Sequence, residues 1–155
     1  KVGSVFTFTI PLQYDETPPS TNQIMQENVF VKPTNETILV AEDDNINYLL
    51  IKKILELKNY KVLRATNGQQ AVDMCKENPN IHLVFMDIKM PILNGFDAFK
   101  MIHSFNPNLP VIAQTAYTSN EDYERILELG FSGYISKPLD KTKIYDLIDT
   151  VFRKI

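Results

Sequence analysis

Apolar positions fall into short continuous runs separated by stretches with helical spacing. Ile38-Leu39-Val40-Ala41, Leu83-Val84-Phe85-Met86, Val111-Ile112-Ala113 and Tyr134-Ile135 are runs of the first kind. They are rich in β-branched residues and bounded by polar ones, as expected of strands covered on both faces. Lys61-Val62-Leu63-Arg64-Ala65 alternates more, which suits an edge strand. Between the runs, Ile46, Leu49, Leu50, Ile54 and Leu57 fall on one helical face. Ala71, Val72 and Cys75 suggest a helix after Gly68, and Phe96, Phe99 and Ile102 one after Gly95. A further helix covers Ser119 to Leu129. The last is the clearest: Ile144, Leu147, Ile148, Val151, Phe152 and Ile155 follow i, i+3, i+4, i+7, i+8, i+11. Five strands alternating with five helices predict an α/β fold, a doubly wound five-stranded parallel sheet with right-handed crossovers and helices on both faces.

The chain before Thr37 reads differently. From Val5 to Ile10, Phe6, Phe8 and Ile10 alternate with Thr7 and Thr9 as in a half-buried strand that Pro11 ends. A lone strand needs a partner sheet, so 1–13 reads as the end of a preceding domain. Residues 14–36 hold Pro18, Pro19 and Pro33 among Thr, Asn, Gln and Glu, and read as a linker. Its apolar patch Val29-Phe30-Val31 is expected to dock on a neighbouring surface. The third zone, 37–155, is the α/β domain.

Composition narrows the class. A chain of 155 residues that is 44% hydrophobic and 23% charged can bury a core, which excludes a disordered class. The net charge of −3 lacks the basic footprint of a nucleic-acid binder. One cysteine, Cys75, forms no internal disulfide and fits a reducing compartment; it reads as core. No apolar run approaches the ~18 residues that span a bilayer, and no signal peptide is visible, so a cytoplasmic location without membrane contact is expected. The first residue is Lys1 and the chain opens within a pattern, so it reads as part of something longer, with room for a membrane-anchored parent.

In sheets of this class, ligands sit beyond the carboxyl ends of the strands. The first strand ends in Glu42-Asp43-Asp44, the third in Asp87, the fourth in Thr115 and the fifth in Ser136-Lys137-Pro138. Crowded carboxylates raise one another's pKa unless a cation lies between them. Glu42, Asp43 and Asp87 are hard oxygen ligands with no His or Cys nearby in sequence, which suits Mg²⁺ better than Zn²⁺. Asp44, or its neighbour Asn45, is better read as a helix N-cap. Lys137, held extended before a proline, can pair with Asp87 and with phosphoryl oxygens, and the Thr115 hydroxyl stands at the end of an apolar strand. His82 and His103 read as structural or surface residues.

The strings ILVAEDDNIN at 38–47, LVFMDIKMPILNG at 83–95, VIAQTA at 111–116 and GFSGYISKPL at 130–139 resemble, in order, the motifs of the receiver domains of two-component signalling. The resemblance covers nearly all of 37–155. It implies the flavodoxin-like strand order 2-1-3-4-5, and phosphoryl transfer from a phosphohistidine to Asp87. It also implies Mg²⁺ held by Asp43, Asp87 and the backbone carbonyl of Lys89, with Glu42 acting through water. Lys137 and Thr115 would contact the phosphoryl group, Thr115 and Tyr134 would form a conformational switch, and Lys137-Pro138 would be a cis peptide. Lys89 and Tyr117 occupy positions that tune dephosphorylation in the family. GSVFTFTIPL at 3–12 is similar to the closing strand of the ATP-binding domain of sensor histidine kinases. Together the two imply the tail of a hybrid histidine kinase, with that kinase core or a histidine phosphotransfer domain as partner. The ATP-binding motifs are not in these residues, so they form a relay module and no kinase. A receiver-like interaction module that never takes phosphate is the alternative. An aspartate-nucleophile phosphatase would want an acid where Lys89 stands, and a nucleotide-binding fold would want a Gly-rich loop after the first strand.

Overall fold

The computed structural model describes residues 36–116 and 120–153. The expectations for residues 1–13, for all but the last residue of 14–36, for Val29-Phe30-Val31, for Tyr117 and for Ile155 lie outside them. Strands β1 (Thr37–Ala41), β2 (Lys61–Ala65), β3 (Ile81–Asp87), β4 (Val111–Thr115) and β5 (Gly133–Ser136) alternate with helices α1 (Asn45–Glu56), α2 (Gly68–Glu77), α3 (Gly95–Phe105), α4 (Asn120–Leu129) and α5 (Lys141–Phe152). All strand pairs are parallel and the order is β2-β1-β3-β4-β5. β2 is an edge, which accounts for its more polar alternation.

The twofold period of the strands sorts their side chains into two apolar layers. Ile38, Val40, Leu83, Phe85, Ile112 and Ile135 pack with Ile51, Ile54 and Leu55 of α1 and Ile144, Ile148 and Val151 of α5. Leu39, Ala41, Val84, Met86, Val111 and Ala113 pack with Val72 of α2, Phe99 of α3 and Ile126 of α4. Helix starts follow local chemistry. Asp44, Asn67, Asn94 and Asp140 each accept from backbone N–H groups as N-caps of α1, α2, α3 and α5. Each such cap contributes about 1 kcal/mol.

One helix face is corrected. In α1 the core takes Ile51, Ile54 and Leu55, whereas Ile46, Leu49, Leu50 and Leu57 are exposed. Only Ile54 of the expected set packs inward. Ile and Leu occupy both sides of this helix, so periodicity alone cannot choose between them, and the sheet makes the choice. An apolar stripe therefore remains uncovered among the described residues, with Ile46 76% exposed.

Cys75 is buried on α2, and burial pushes its thiol up to about 12. The thiolate is the nucleophile, so the native domain is expected to resist alkylation at pH 8 and to react only on unfolding. Rapid labelling of folded protein, followed by mass spectrometry, would contradict this.

Candidate functional site

The alternation that builds the core also delivers the charged groups. Two residues past Val40, Phe85 and Ile135 stand Glu42, Asp87 and Lys137, on the side of the sheet that faces α1 and α5. The backbone keeps the strand path beyond the last strand residues: Glu42 N–H donates to the Ala65 carbonyl at 3.0 Å, and Lys137 N–H to the Thr115 carbonyl at 2.8 Å. The Lys137-Pro138 peptide is cis.

Lys137 Nζ donates to Asp87 Oδ2 at 2.6 Å and to Glu42 Oε1 at 3.1 Å, and lies 2.8 Å from Glu42 Oε2. Glu42 is fully buried and Asp87 nearly so. Asp87 Oδ1 accepts from the Lys89 N–H at 3.0 Å, so both of its oxygens are oriented. Asn47 Nδ2 donates to Glu42 Oε1 at 3.2 Å. Burial raises the pKa of Glu42, an effect the Lys137 hydrogen bond only partly offsets. Burial alone would lower Lys137, but its hydrogen bonds to Asp87 and Glu42 outweigh it and raise the pKa. Both shifts are upward, so both favour the folded state at lower pH. The ion pairs of Lys137 stabilise the fold below 10.5 and fade as pH rises through its raised value. Glu42 follows the same sign in a lower window: the folded state loses stability as pH climbs from 4.5 through its raised value.

Carboxylate oxygens of Glu42, Asp43 and Asp87 lie within 4.8 Å of one another. Three carboxylates and one ammonium leave two negative charges uncompensated (3 − 1 = 2). An all-oxygen cluster with that deficit fits a hard divalent cation. Glu42 is already engaged by Lys137 and Asn47, which suits a part played at one remove.

Thr115 is buried at the end of β4, and its carbonyl receives the Lys137 N–H. Tyr134 is 39% exposed and meets Tyr123 edge-to-face at 5.2 Å. His82 Nδ1 accepts from Thr37 N–H at 3.1 Å and His103 stacks on Phe99, so both are structural.

Four residues near the site carried no expectation of a role in it. Asn47, at the third helical position, reaches back to Glu42 as such residues often reach back to a cap, a spacing readable in sequence. Arg64 of β2 touches the carbonyls of Glu42 and Asp43. Gly95 presses on Asp87: an added Cβ would lie 2.2 Å from the Asp87 carbonyl oxygen. Gly68 likewise abuts Leu93, whose carbonyl takes the Gly68 N–H at 3.1 Å. Between them the loop bends sharply, with Ile92 at φ 70° and Leu93 N–H bonded to the Pro91 carbonyl.

Residues 38–149 match the family model of the response regulator receiver domain. The chain belongs to that family. A hybrid signal transduction histidine kinase of Dictyostelium discoideum is 36% identical over 123 residues, which cover 74% of this chain and 7% of that protein. The chain thus spans a small part of this relative's length. The receiver domain of a sensor histidine kinase from Pseudomonas aeruginosa, solved with magnesium in its active-site cleft, superposes with TM-score 0.70 at 27% identity. The match covers 77% of this chain and 99% of that one. A Saccharomyces cerevisiae receiver domain, solved with a histidine phosphotransfer protein, gives TM-score 0.70 at 27% identity, covering 77% of this chain and 91% of that chain. Receiver domains of two-component signalling therefore share this chain's fold and sequence pattern. No helix among the described residues is long and apolar enough to cross a membrane.

Proposed function

We propose that this receiver domain takes a phosphoryl group onto Asp87 from a phosphohistidine of a donor protein, in a Mg²⁺-dependent step. The observation that carries the reading is the 2.6 Å pair between Lys137 Nζ and Asp87 Oδ2, set inside the cluster of Glu42, Asp43 and Asp87 at the strand ends. Asp43, Asp87 and the Lys89 carbonyl would hold the metal, with Glu42 acting through water. With Mg²⁺ bound, negative charge on the transferring oxygens is neutralised.

The chain's own groups do the positioning. A bond forms between an Asp87 oxygen and phosphorus as the donor's P–N bond breaks; its electron pair stays on the imidazole, which takes up a proton. Lys137 moves from the Asp87 carboxylate to a phosphoryl oxygen. The Thr115 hydroxyl binds another, and the Tyr134 ring turns inward from its half-exposed position. The phosphoryl group shifts this equilibrium only as far as it binds the active arrangement more tightly. No feature of the site favours a module that never takes phosphate.

The uncovered stripe of Ile46, Leu49 and Leu50 begins one turn from the acidic loop and suits docking of the helical surface of a histidine phosphotransfer domain or kinase core. Residues 1–13 are read as the last strand of a kinase ATP-binding domain and 14–36 as the linker, which makes the parent a hybrid histidine kinase and its setting the cytoplasm.

Incubation with a small phosphodonor and Mg²⁺ is expected to add one phosphoryl group by intact mass, and chelation to prevent it. Absence of any adduct would end this reading. Leu49→Glu is expected to slow transfer from a protein donor about tenfold or more while leaving labelling by the small donor unchanged. Equal loss with both donors would remove the docking role from α1.

A further inference from the structure

We infer that Arg64 is a positioning residue for the divalent-cation site, a reading that rests on the proposed Mg²⁺ dependence. Arg64 lies on the edge strand β2, in register with Val40 of β1. By alternation it projects to the α1 side, and its guanidinium carbon stands 4.3 Å from the centroid of the Tyr48 ring. From there Nη2 reaches the carbonyl of Glu42 at 3.5 Å and that of Asp43 at 3.4 Å. Each contact is long, but one charged donor spans two consecutive carbonyls, and its Nε is buried without a partner. A buried guanidinium edge of this kind is costly, so its place is set by what it holds.

What it holds is the turn that carries two of the three clustered carboxylates. The start of that turn is tied by Glu42 N–H to Ala65, and its end by Asp44, which caps α1 through the N–H groups of Ile46 and Asn47. The Glu42 side chain is fixed by Lys137 and Asn47. Asp43 is exposed, and no side-chain hydrogen bond of the described residues fixes its carboxylate. Its position is therefore set through its backbone, where Arg64 bears on the peptide carbonyl. Groups that orient metal ligands from outside typically change metal affinity 10–100-fold when removed.

Charge makes the test decisive. Arg64 is a cation beside a cation site, so by Coulomb's law alone its removal should tighten Mg²⁺ binding. Positioning demands the opposite sign. Mg²⁺ is titrated by calorimetry into the wild-type chain, Arg64→Gln, Arg64→Lys and Tyr48→Leu, with Tm measured in chelator. Both Arg64 variants are expected to bind Mg²⁺ about tenfold more weakly, since lysine keeps the charge but lacks the planar group that stacks on Tyr48 and aims the donor at the two carbonyls. Tyr48→Leu, which removes the platform and leaves Arg64, should weaken binding in the same direction. Arg125→Gln, which disturbs a similar guanidinium–ring contact on Phe96, serves as the control and should bind as wild type. Unchanged or tighter binding in the Arg64 variants overturns the proposal, including the case where only Tm falls. Failure of the wild-type chain to bind Mg²⁺ would instead overturn the metal reading itself.

Discussion

Asp87→Asn is expected to leave a folded domain that takes no phosphoryl group, with labelling by a small donor falling to background. The substitution keeps the shape and removes the proposed nucleophile. Both Asp87 oxygens accept hydrogen bonds, Oδ2 from Lys137 and Oδ1 from the Lys89 N–H. An amide has one acceptor, so one of those donors must face an NH₂ group. The mismatch costs about 1–3 kcal/mol, and the loss of a carboxylate crowded against Glu42 offsets part of it. Lys137 keeps its pair with Glu42, which argues against collapse of the pocket. Circular dichroism and thermal melts should show a near-native fold. Stoichiometric labelling that survives in Asp87→Asn would place the acceptor elsewhere.

Gly95→Ala is expected to be among the most damaging single changes in the domain. The added methyl would sit 2.2 Å from the Asp87 carbonyl oxygen and 2.9 Å from the Ile88 Cα. Both are backbone atoms, so no side chain can swing aside. Gly95 N–H also donates to the Ile88 carbonyl at 2.9 Å, which fixes the approach. Overpacking of this type costs roughly 3 kcal/mol, and here relief would come by moving Asp87, the proposed acceptor. Denaturant titration should show the loss of stability, and phosphoryl uptake should fall in the fraction that folds. Gly130→Ala is the useful contrast. Its φ is +86° with open space around it, so only backbone strain of about 1 kcal/mol is expected. Equal stability losses at the two positions would refute the close-contact argument.

Much of this was legible in the chain because a parallel sheet writes itself as continuous apolar runs. All five strands stand where those runs fall, and the edge strand betrays itself through Lys61 and Arg64. Strand-end acids and Lys137 were legible for the same reason: once the strands are placed, their carboxyl ends are placed too. α1 was not, because Ile46, Leu49 and Leu50 compete with Ile51 and Leu55 for the core, and only the sheet decides. Arg64 and Gly95 were missed for a different reason. Arg64 meets Asp43 across 21 residues of chain, and Gly95 owes its role to the path of a loop. Neither relation leaves a local pattern.

The strand alternation that groups Glu42, Asp87 and Lys137 on the α1 and α5 side puts Thr115 and Tyr134 on the opposite parity. On the proposed switch, the sheet would be a partition with the nucleophile, its lysine and the acidic cluster on one side and the outgoing message on the other. News of phosphorylation has to pass over the rim, at the strand tips, without disturbing the layers beneath. A frame this rigid can therefore broadcast a state while almost none of its interior rearranges, and hydrogen exchange in the central strands should be nearly blind to the event.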